Sequence, residues 1–485
     1  MTNPIAKLSK MMLFLLLFFS LCIYPAIPQV SAEVPTKAQI ENYIEAYLNE
    51  YRVPGASVAI IHNNELFFSK SWGVTGETRE KVTSETPFTI GSISKSLTGI
   101  GVMKLIDNGI VGLDDQVQDH LPWFTLKDKQ AASQITIRHL LAQTSGLSTF
   151  DGLVLSDKEA TGSGAIRNQV RLLHNAALTA KPGEKHQYSN ANYLILGALI
   201  EEVSNQPYAE YMEQHIFGPI GMTHAAADKE TAYKRGYLSG YQSWFGFPVK
   251  SSVDYDNAGA PYGYITASTT DLLQFIKLLN GKGLNHLISE KTLDLYMTPQ
   301  VQTSEDRYYG LGIRVSNPDS SERLIWHSGS TPDSHAELFY LPESGWGGVI
   351  LTNKNNTLEE EGLYYLKHGI INLLNGDETV EIPNLGVTIQ FIVLGVIFLL
   401  MVLSIYLFNR LKSKKPLSKG MGLILGILFI ILSIGIVPLL ISSVGSPWHS
   451  IKVFAPDIAF LMILTVIAMA LNGLLAMTLA FKKAR

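Results

Sequence analysis

The sequence predicts an α/β protein: an antiparallel sheet flanked by terminal helices, a mostly helical subdomain inserted in the middle, and three transmembrane helices after it. Three observations carry that reading. Strand-like runs fall at 56–73 and return at 323–353, with amphipathic helical patterning outside them and a mixed, largely helical middle between. Three uninterrupted apolar stretches, about 387–408, 421–443 and 458–481, each reach the roughly 20 residues a bilayer-spanning helix needs. No internal repeat or low-complexity tract interrupts the globular part.

Residues 1–32 come first. Lys7 and Lys10 precede a long apolar run that ends in Val-Ser-Ala at Ala32, the layout of a secretory signal peptide. An uncleaved N-terminal anchor is the alternative. Residues 33–375 form the expected extracytoplasmic domain. "TKAQIENYIEAYLNEYRVPG" has helical spacing and is stopped by Pro54 and Gly55; "ASVAIIHNNELFFSKSWG" reads as a hairpin turning at Asn63-Asn64. "RLIWHSG", "HAELFYLP" and "WGGVILTN" read as strands, and a last amphipathic helix is expected near 359–374. "NLLNGDETVEIPNLG" (372–386) is expected as the hinge between the parts, with 376–386 as the linker and 482–485 as a cytoplasmic tail.

The charge pattern orients the membrane part. The loop between the first two spans carries Arg410, Lys412, Lys414, Lys415 and Lys419, whereas the next loop holds only Lys452 as a formal cation. The positive-inside rule then puts the first loop and the C-terminus in the cytoplasm and residues 33–386 outside. The expected location is a multi-pass protein of the cell membrane. The spans contain no Lys, Arg, Asp or Glu, so they read mainly as an anchor.

Composition excludes several chemistries. With 38 Lys+Arg against 42 Asp+Glu, no basic field argues for nucleic acid. The single cysteine, Cys22, rules out an internal disulfide or a Cys-type metal site. There is no His-Glu-x-x-His, Gly-x-Ser-x-Gly or P-loop pattern, so neither metal nor cofactor is expected. Oligomeric state is not legible.

One stretch points to covalent catalysis. In "PFTIGSISKSLTGIG" a helix start receives Ser92, and Lys95 lies three residues on, on the same face. The helix dipole and partial burial both disfavour an ammonium there and push the amine pKa down. A neutral lysine can take the proton of a serine hydroxyl. Ser92 is also expected to cap the helix. Ser-x-x-Lys occurs once in the chain. A Tyr-x-Asn, Tyr188 and Asn190, opens an apolar helix after Pro182 and Gly183, and "WHSGS" ends a strand with His327, Ser328 and Gly329. Taken singly, each admits a structural reading: a capping serine with an exposed lysine, or a packed histidine.

Together these motifs resemble the serine β-lactamase and penicillin-binding protein superfamily, in its class C-related branch. "ITIRHLLAQTSGL", "YSNANYLILG", "IFGPIGM", "STTDLLQFIKLL" and "YGLGI" look like that branch and stand in its order, over about 36–375. The resemblance implies a β-lactamase/transpeptidase-like fold, Ser92 as nucleophile, Lys95 as its activating partner and Tyr188 in the proton traffic. It also implies Asn190 at the substrate amide, His327 and Gly329 lining the substrate strand, and the Ser92 and Ser330 N–H groups as oxyanion hole. The third motif departs from the branch: His-Ser-Gly stands where its β-lactamases have Lys-Thr-Gly, and histidine near neutral pH supplies that charge only in part. An efficient β-lactamase is therefore less expected than a peptidase or amidase on D-amino-acid peptides, with a small peptide or peptidoglycan-type substrate. A β-lactamase or esterase of the same family and a non-catalytic penicillin-binding or sensing module are the alternatives. The domain order is similar to that of membrane-anchored prodrug peptidases of the colibactin-maturing type, whose substrates carry an N-acyl-D-amino-acid cap.

Overall fold

The computed structural model describes residues 35–76, 78–162, 164–281, 287–413, 415 and 417–482. The expected signal peptide at 1–32 lies outside the described residues. Helix α1 (Lys37–Glu50) starts where Thr36 and Gln39 form a capping box, each side chain meeting the other's backbone N–H. Strands β1 (Gly55–His62) and β2 (Glu65–Gly73) turn through Asn63 and Asn64, both at positive φ. Asparagine tolerates that region, and a two-residue turn of this hand matches the strand twist.

The chain leaves the sheet after β2 and returns through three short strands, β3 (Val301–Ser304), β4 (Arg307–Tyr309) and β5 (Arg314–Ser316). Three longer strands follow: β6 (Leu324–Thr331), β7 (Ser334–Leu341) and β8 (Trp346–Thr352). The eight form one antiparallel sheet in the order β2-β1-β8-β7-β6-β5-β4-β3. Thus β1, far away in sequence, pairs with β8, Ala56 opposite Thr352.

Both faces of the sheet are covered, which is why β1, β7 and β8 are almost uninterruptedly apolar or small. Along β1, Val58 and Ile60 face α1 and the C-terminal helix α6 (Glu360–Asn375). Ala59 and Ile61 face the larger core built on helix α2 (Ile93–Asp107). The inserted helical region includes α3 (Thr149–Leu155), α4 (Asn190–Ser204) and α5 (Thr269–Leu279). Helix α2 runs between sheet and insertion and is buried along nearly its whole length.

Three helices, α7 (Thr388–Lys412), α8 (Lys419–Val444) and α10 (Pro456–Phe481), are long and apolar enough to cross a membrane. Between the last two lies a short helix that the sequence reading did not anticipate, α9 (Trp448–Phe454). The segment expected as a hinge is instead held along α1. Tyr43 donates to the Val380 carbonyl at 2.7 Å, Tyr51 to that of Pro383 at 3.0 Å, and the Leu385 N–H to Glu50 at 2.7 Å.

One ion pair joins the terminal helix to the sheet. Lys367 on α6 lies 2.9 Å from Glu337 on β7, both essentially inaccessible to solvent (0% and 1%). Ser328 donates to the same carboxylate at 2.8 Å, and the Trp326 ring lies 4.0 Å from the Lys367 amine. Burial alone would raise the Glu337 pKa, but Lys367 and His335 hold it below the ordinary carboxylate range. Lys367→Ala leaves that carboxylate buried and uncompensated, so we expect a loss of about 3–5 kcal/mol. Lys367→Met combined with Glu337→Leu should cost far less, and unfolding of the detergent-solubilised chain in denaturant compares the two.

Candidate active site

Ser92 stands at the N-terminus of α2, immediately after Gly91, which adopts φ +51°. A side chain on Gly91 would sit 2.2 Å from the Ser330 nitrogen, and one on Gly329 would sit 1.9 Å from the Ile90 carbonyl oxygen and 2.8 Å from the Ser92 nitrogen. Only glycines allow β6 and the start of α2 to approach so closely. The approach brings the Ser92 and Ser330 backbone nitrogens to the same junction.

The expected cap role of Ser92 is absent: its hydroxyl makes no capping bond. It faces Lys95 instead, whose Nζ lies 2.9 Å from Ser92 Oγ. The same amine donates to the Tyr262 carbonyl at 2.8 Å. Three phenol rings surround it, with centroids at 4.8 Å (Tyr188), 5.7 Å (Tyr262) and 5.9 Å (Tyr193). Lys95 has no solvent exposure, and burial first, then the Arg314 charge, push its pKa well below that of free lysine; Asp157 opposes them. No carboxylate among the described residues pairs with it, so the neutral amine is the favoured form.

Tyr188 responds in the opposite sense. Burial drives its pKa up to about 12, with Arg314 and the nearby Ser92 hydroxyl pulling the other way. One environment thus depresses a base and raises an acid, the separation that acid–base catalysis uses. Asn190 opens α4 and donates to Ser156 Oγ at 2.9 Å. Ser156 is followed by Asp157, a carboxyl that burial pushes up to about 6 against a hydrogen bond from Tyr264.

His327 differs from the sequence expectation. It is 1% exposed; its Nδ1 lies 2.7 Å from the Ser328 carbonyl and its Nε2 lies 3.3 Å from the Tyr309 hydroxyl. These partners assign Nδ1–H as donor and Nε2 as acceptor. Burial and then Arg314 push its pKa well below the usual histidine value, so the ring is neutral and supplies no charge. The permanent cation of the cleft is Arg314 on β5, opposite Trp326 of β6. Its guanidinium lies 5.3 to 5.4 Å from the centroids of Tyr188, Tyr309 and Trp326. It makes no ion pair among the described residues and stays partly open to solvent.

The structure therefore brings Ser92, Lys95, Tyr188, His327, Gly329 and Ser330 together, while Asn190 follows Tyr188 at the head of α4 with its amide on Ser156. Sequence reasoning missed Arg314, although it directly follows "YGLGI", and it missed the Tyr262 carbonyl, which no side-chain motif announces. No group of three or more potential metal ligands occurs among the described residues.

Fold and cleft together define a serine hydrolase built around a Ser–Lys pair. Residues 40–368 match the family described as Beta-lactamase, and the chain belongs to that family. Protein flp of Staphylococcus aureus (strain COL) is 30% identical over 341 residues, covering 70% of this chain and 67% of the relative. Penicillin-binding protein 4* of Bacillus subtilis (strain 168) is 26% identical over 330 residues, covering 65% and 71%. The octameric penicillin-binding protein homologue from Pyrococcus abyssi superposes with a TM-score of 0.60 at 26% identity, over 71% of this chain and 78% of that one.

Two outcomes follow from this geometry. With the deprotonated amine of Lys95 as the expected base, acylation of Ser92 by a fluorophosphonate should rise with pH as Lys95 loses its proton. It should reach a plateau well below the 10.5 of a free lysine and fall away on acidification. Stopped labelling across a pH series reads this, and a rise that only begins near 10.5 contradicts it. Gly329→Ala should lower acylation by about 10²-fold or more by displacing an oxyanion donor, with the fold retained by circular dichroism.

Proposed function

We propose that this protein is a membrane-anchored, extracytoplasmic serine peptidase or amidase that cleaves D-amino-acid-containing peptides through an acyl-enzyme. The observation that carries the reading is the fully buried Lys95 amine 2.9 Å from Ser92 Oγ. Neutral Lys95 takes the Ser92 proton as Oγ attacks the substrate carbonyl. The Ser92 and Ser330 N–H groups meet the oxyanion, and protonated Tyr188 relays a proton to the leaving amine. Water then enters, loses a proton to the same Lys95–Tyr188 pair and releases the acid.

Arg314 supports the substrate class. A cation held among aromatic rings with no carboxylate partner among the described residues suits a substrate carboxylate, such as that of a C-terminal D-residue. The same feature would receive the carboxylate of a β-lactam, and the penicillin-binding names of the relatives favour β-lactams as acylating ligands of this site. The membrane orientation rests on the basic loop. α9, between the second and third long helices, packs on the hydrolase domain, so Arg410 and Lys412 fall at the far end of the bundle.

The test uses an acyl-D-Ala-D-Ala peptide and its C-terminal amide. Ser92→Ala should abolish turnover and labelling by penicillin or fluorophosphonate probes; persistent labelling refutes the assignment. Arg314→Gln should raise KM for the free acid by about 10- to 100-fold, the worth of one charge-assisted contact. The amide should barely respond, and equal losses on both would remove Arg314 from recognition.

A further inference from the structure

The three apolar helices do more than tether. Segment α9, which joins the second and third of them, is fixed to the hydrolase domain at several points. The Thr357 N–H donates to the Phe454 carbonyl at 2.8 Å, and Gln242 Nε2 to that of Val453 at 2.7 Å. Asp457, at the head of α10, is completely buried. Its carboxylate accepts from the Phe245 N–H at 3.1 Å, from Gln390 of α7 at 3.0 Å and from Asn356 at 3.2 Å. A tether needs none of this, and burying a carboxylate is costly unless its partners are fixed. Residues of the hydrolase domain and of two long apolar helices meet in one polar knot.

From that fixed segment His449 reaches toward the cleft. Its Nε2 lies 2.6 Å from the Asp157 carbonyl, and a carbonyl acceptor makes Nε2–H the donor. Asp157 is a non-glycine residue at φ +57°, in the left-handed region that L side chains occupy at a cost, so the corner needs holding from outside. The preceding residue, Ser156, accepts the amide of Asn190 at 2.9 Å. Helix α3, against which α9 packs, holds the same motif from the other side: Thr149 donates to the Tyr188 carbonyl at 2.6 Å and Ser189 to the Ser148 carbonyl at 2.7 Å.

We propose that His449 is a positioning residue for the hydrolase: from the membrane-helix segment it clamps the Ser156–Asp157 corner and thereby sets Asn190 against the substrate amide. The membrane part then completes the substrate wall. This inference rests on the acyl-enzyme reading above and adds a residue from outside the family-matched region.

The experiment uses the full chain in detergent, with His449→Leu, which removes the donor, and His449→Gln, which keeps an amide donor at similar reach. For the acyl-D-Ala-D-Ala peptide, His449→Leu should raise KM and lower kcat/KM by about tenfold, the scale of one lost hydrogen bond. His449→Gln should recover most of it. Fluorophosphonate has no acylamino group for Asn190 to hold, so it should label every His449 variant at the wild-type rate. In an Asn190→Ala background, His449→Leu should add less than twofold, because both act on one contact. The proposal is overturned by a His449→Leu chain that matches wild type on the peptide, by an equal loss of fluorophosphonate labelling, or by full additivity with Asn190→Ala. The hydrolase reading fails separately, if Ser92→Ala still labels or the wild-type chain never turns the peptide over.

Discussion

The withdrawal of one lysine amine from water is the constraint on which the rest of the structure depends. Lys95 can sit without a counterion because three phenol rings and the Tyr262 carbonyl take the place of its hydration. The surroundings are arranged to permit this. A side chain on Gly99 would strike the Leu311 carbonyl at 2.6 Å, and one on Gly312 would press on the Lys95 carbonyl and the Tyr193 hydroxyl at 3.1 Å. The "YGLGI" stretch therefore lies directly on α2, closing the site against solvent. A charged amine in the same place would need a carboxylate, and that carboxylate would keep the amine protonated and unable to accept the serine proton.

A division of electrostatic labour follows. His327 stands at the motif position where a charge is expected, yet it is sealed and neutral, its two nitrogens satisfied by Ser328 and Tyr309. The positive charge is carried instead by Arg314, on the strand next to β6 and partly open to solvent. A guanidinium keeps its charge among aromatic rings where an imidazole loses it. Arg314 also helps to depress both Lys95 and His327, so the group that suits an incoming anion is coupled to the state of the base. Beneath the same strand, the Lys367–Glu337 pair fixes Ser328 from the opposite face of the sheet.

The hydrolase-fold domain and the three long apolar helices are tied together by polar contacts. Tyr43, Tyr51 and Glu50 of α1 hold the connecting segment, and the Asp457 knot ties the far loop to Phe245 and Asn356. These polar contacts sit at the domain-facing ends of the long apolar helices, Gln390 near the start of α7 and Asp457 at the head of α10. Within the bundle, Asn472 of α10 satisfies itself on the Leu400 and Ala468 carbonyls, as a buried amide in an apolar setting must.

Much of this was legible in sequence because the signals are local. Periodicity, the Pro54-Gly55 stop and Asn63-Asn64 gave the terminal helices, the first hairpin and the three long strands. Ser92 with Lys95 and Tyr188 with Asn190 could be read because each pair lies within one turn of chain, at a helix start. Strands β3, β4 and β5, at one side of the sheet, are only three or four residues long, too short for an alternation to register, and so Arg314 went unseen with them. The neutrality of His327, the Tyr262 carbonyl beneath Lys95, the docking of α9 and the pinned connector were settled only by tertiary structure. Desolvation and close approach belong to residues that the chain brings together from hundreds of positions apart, and no local pattern encodes them.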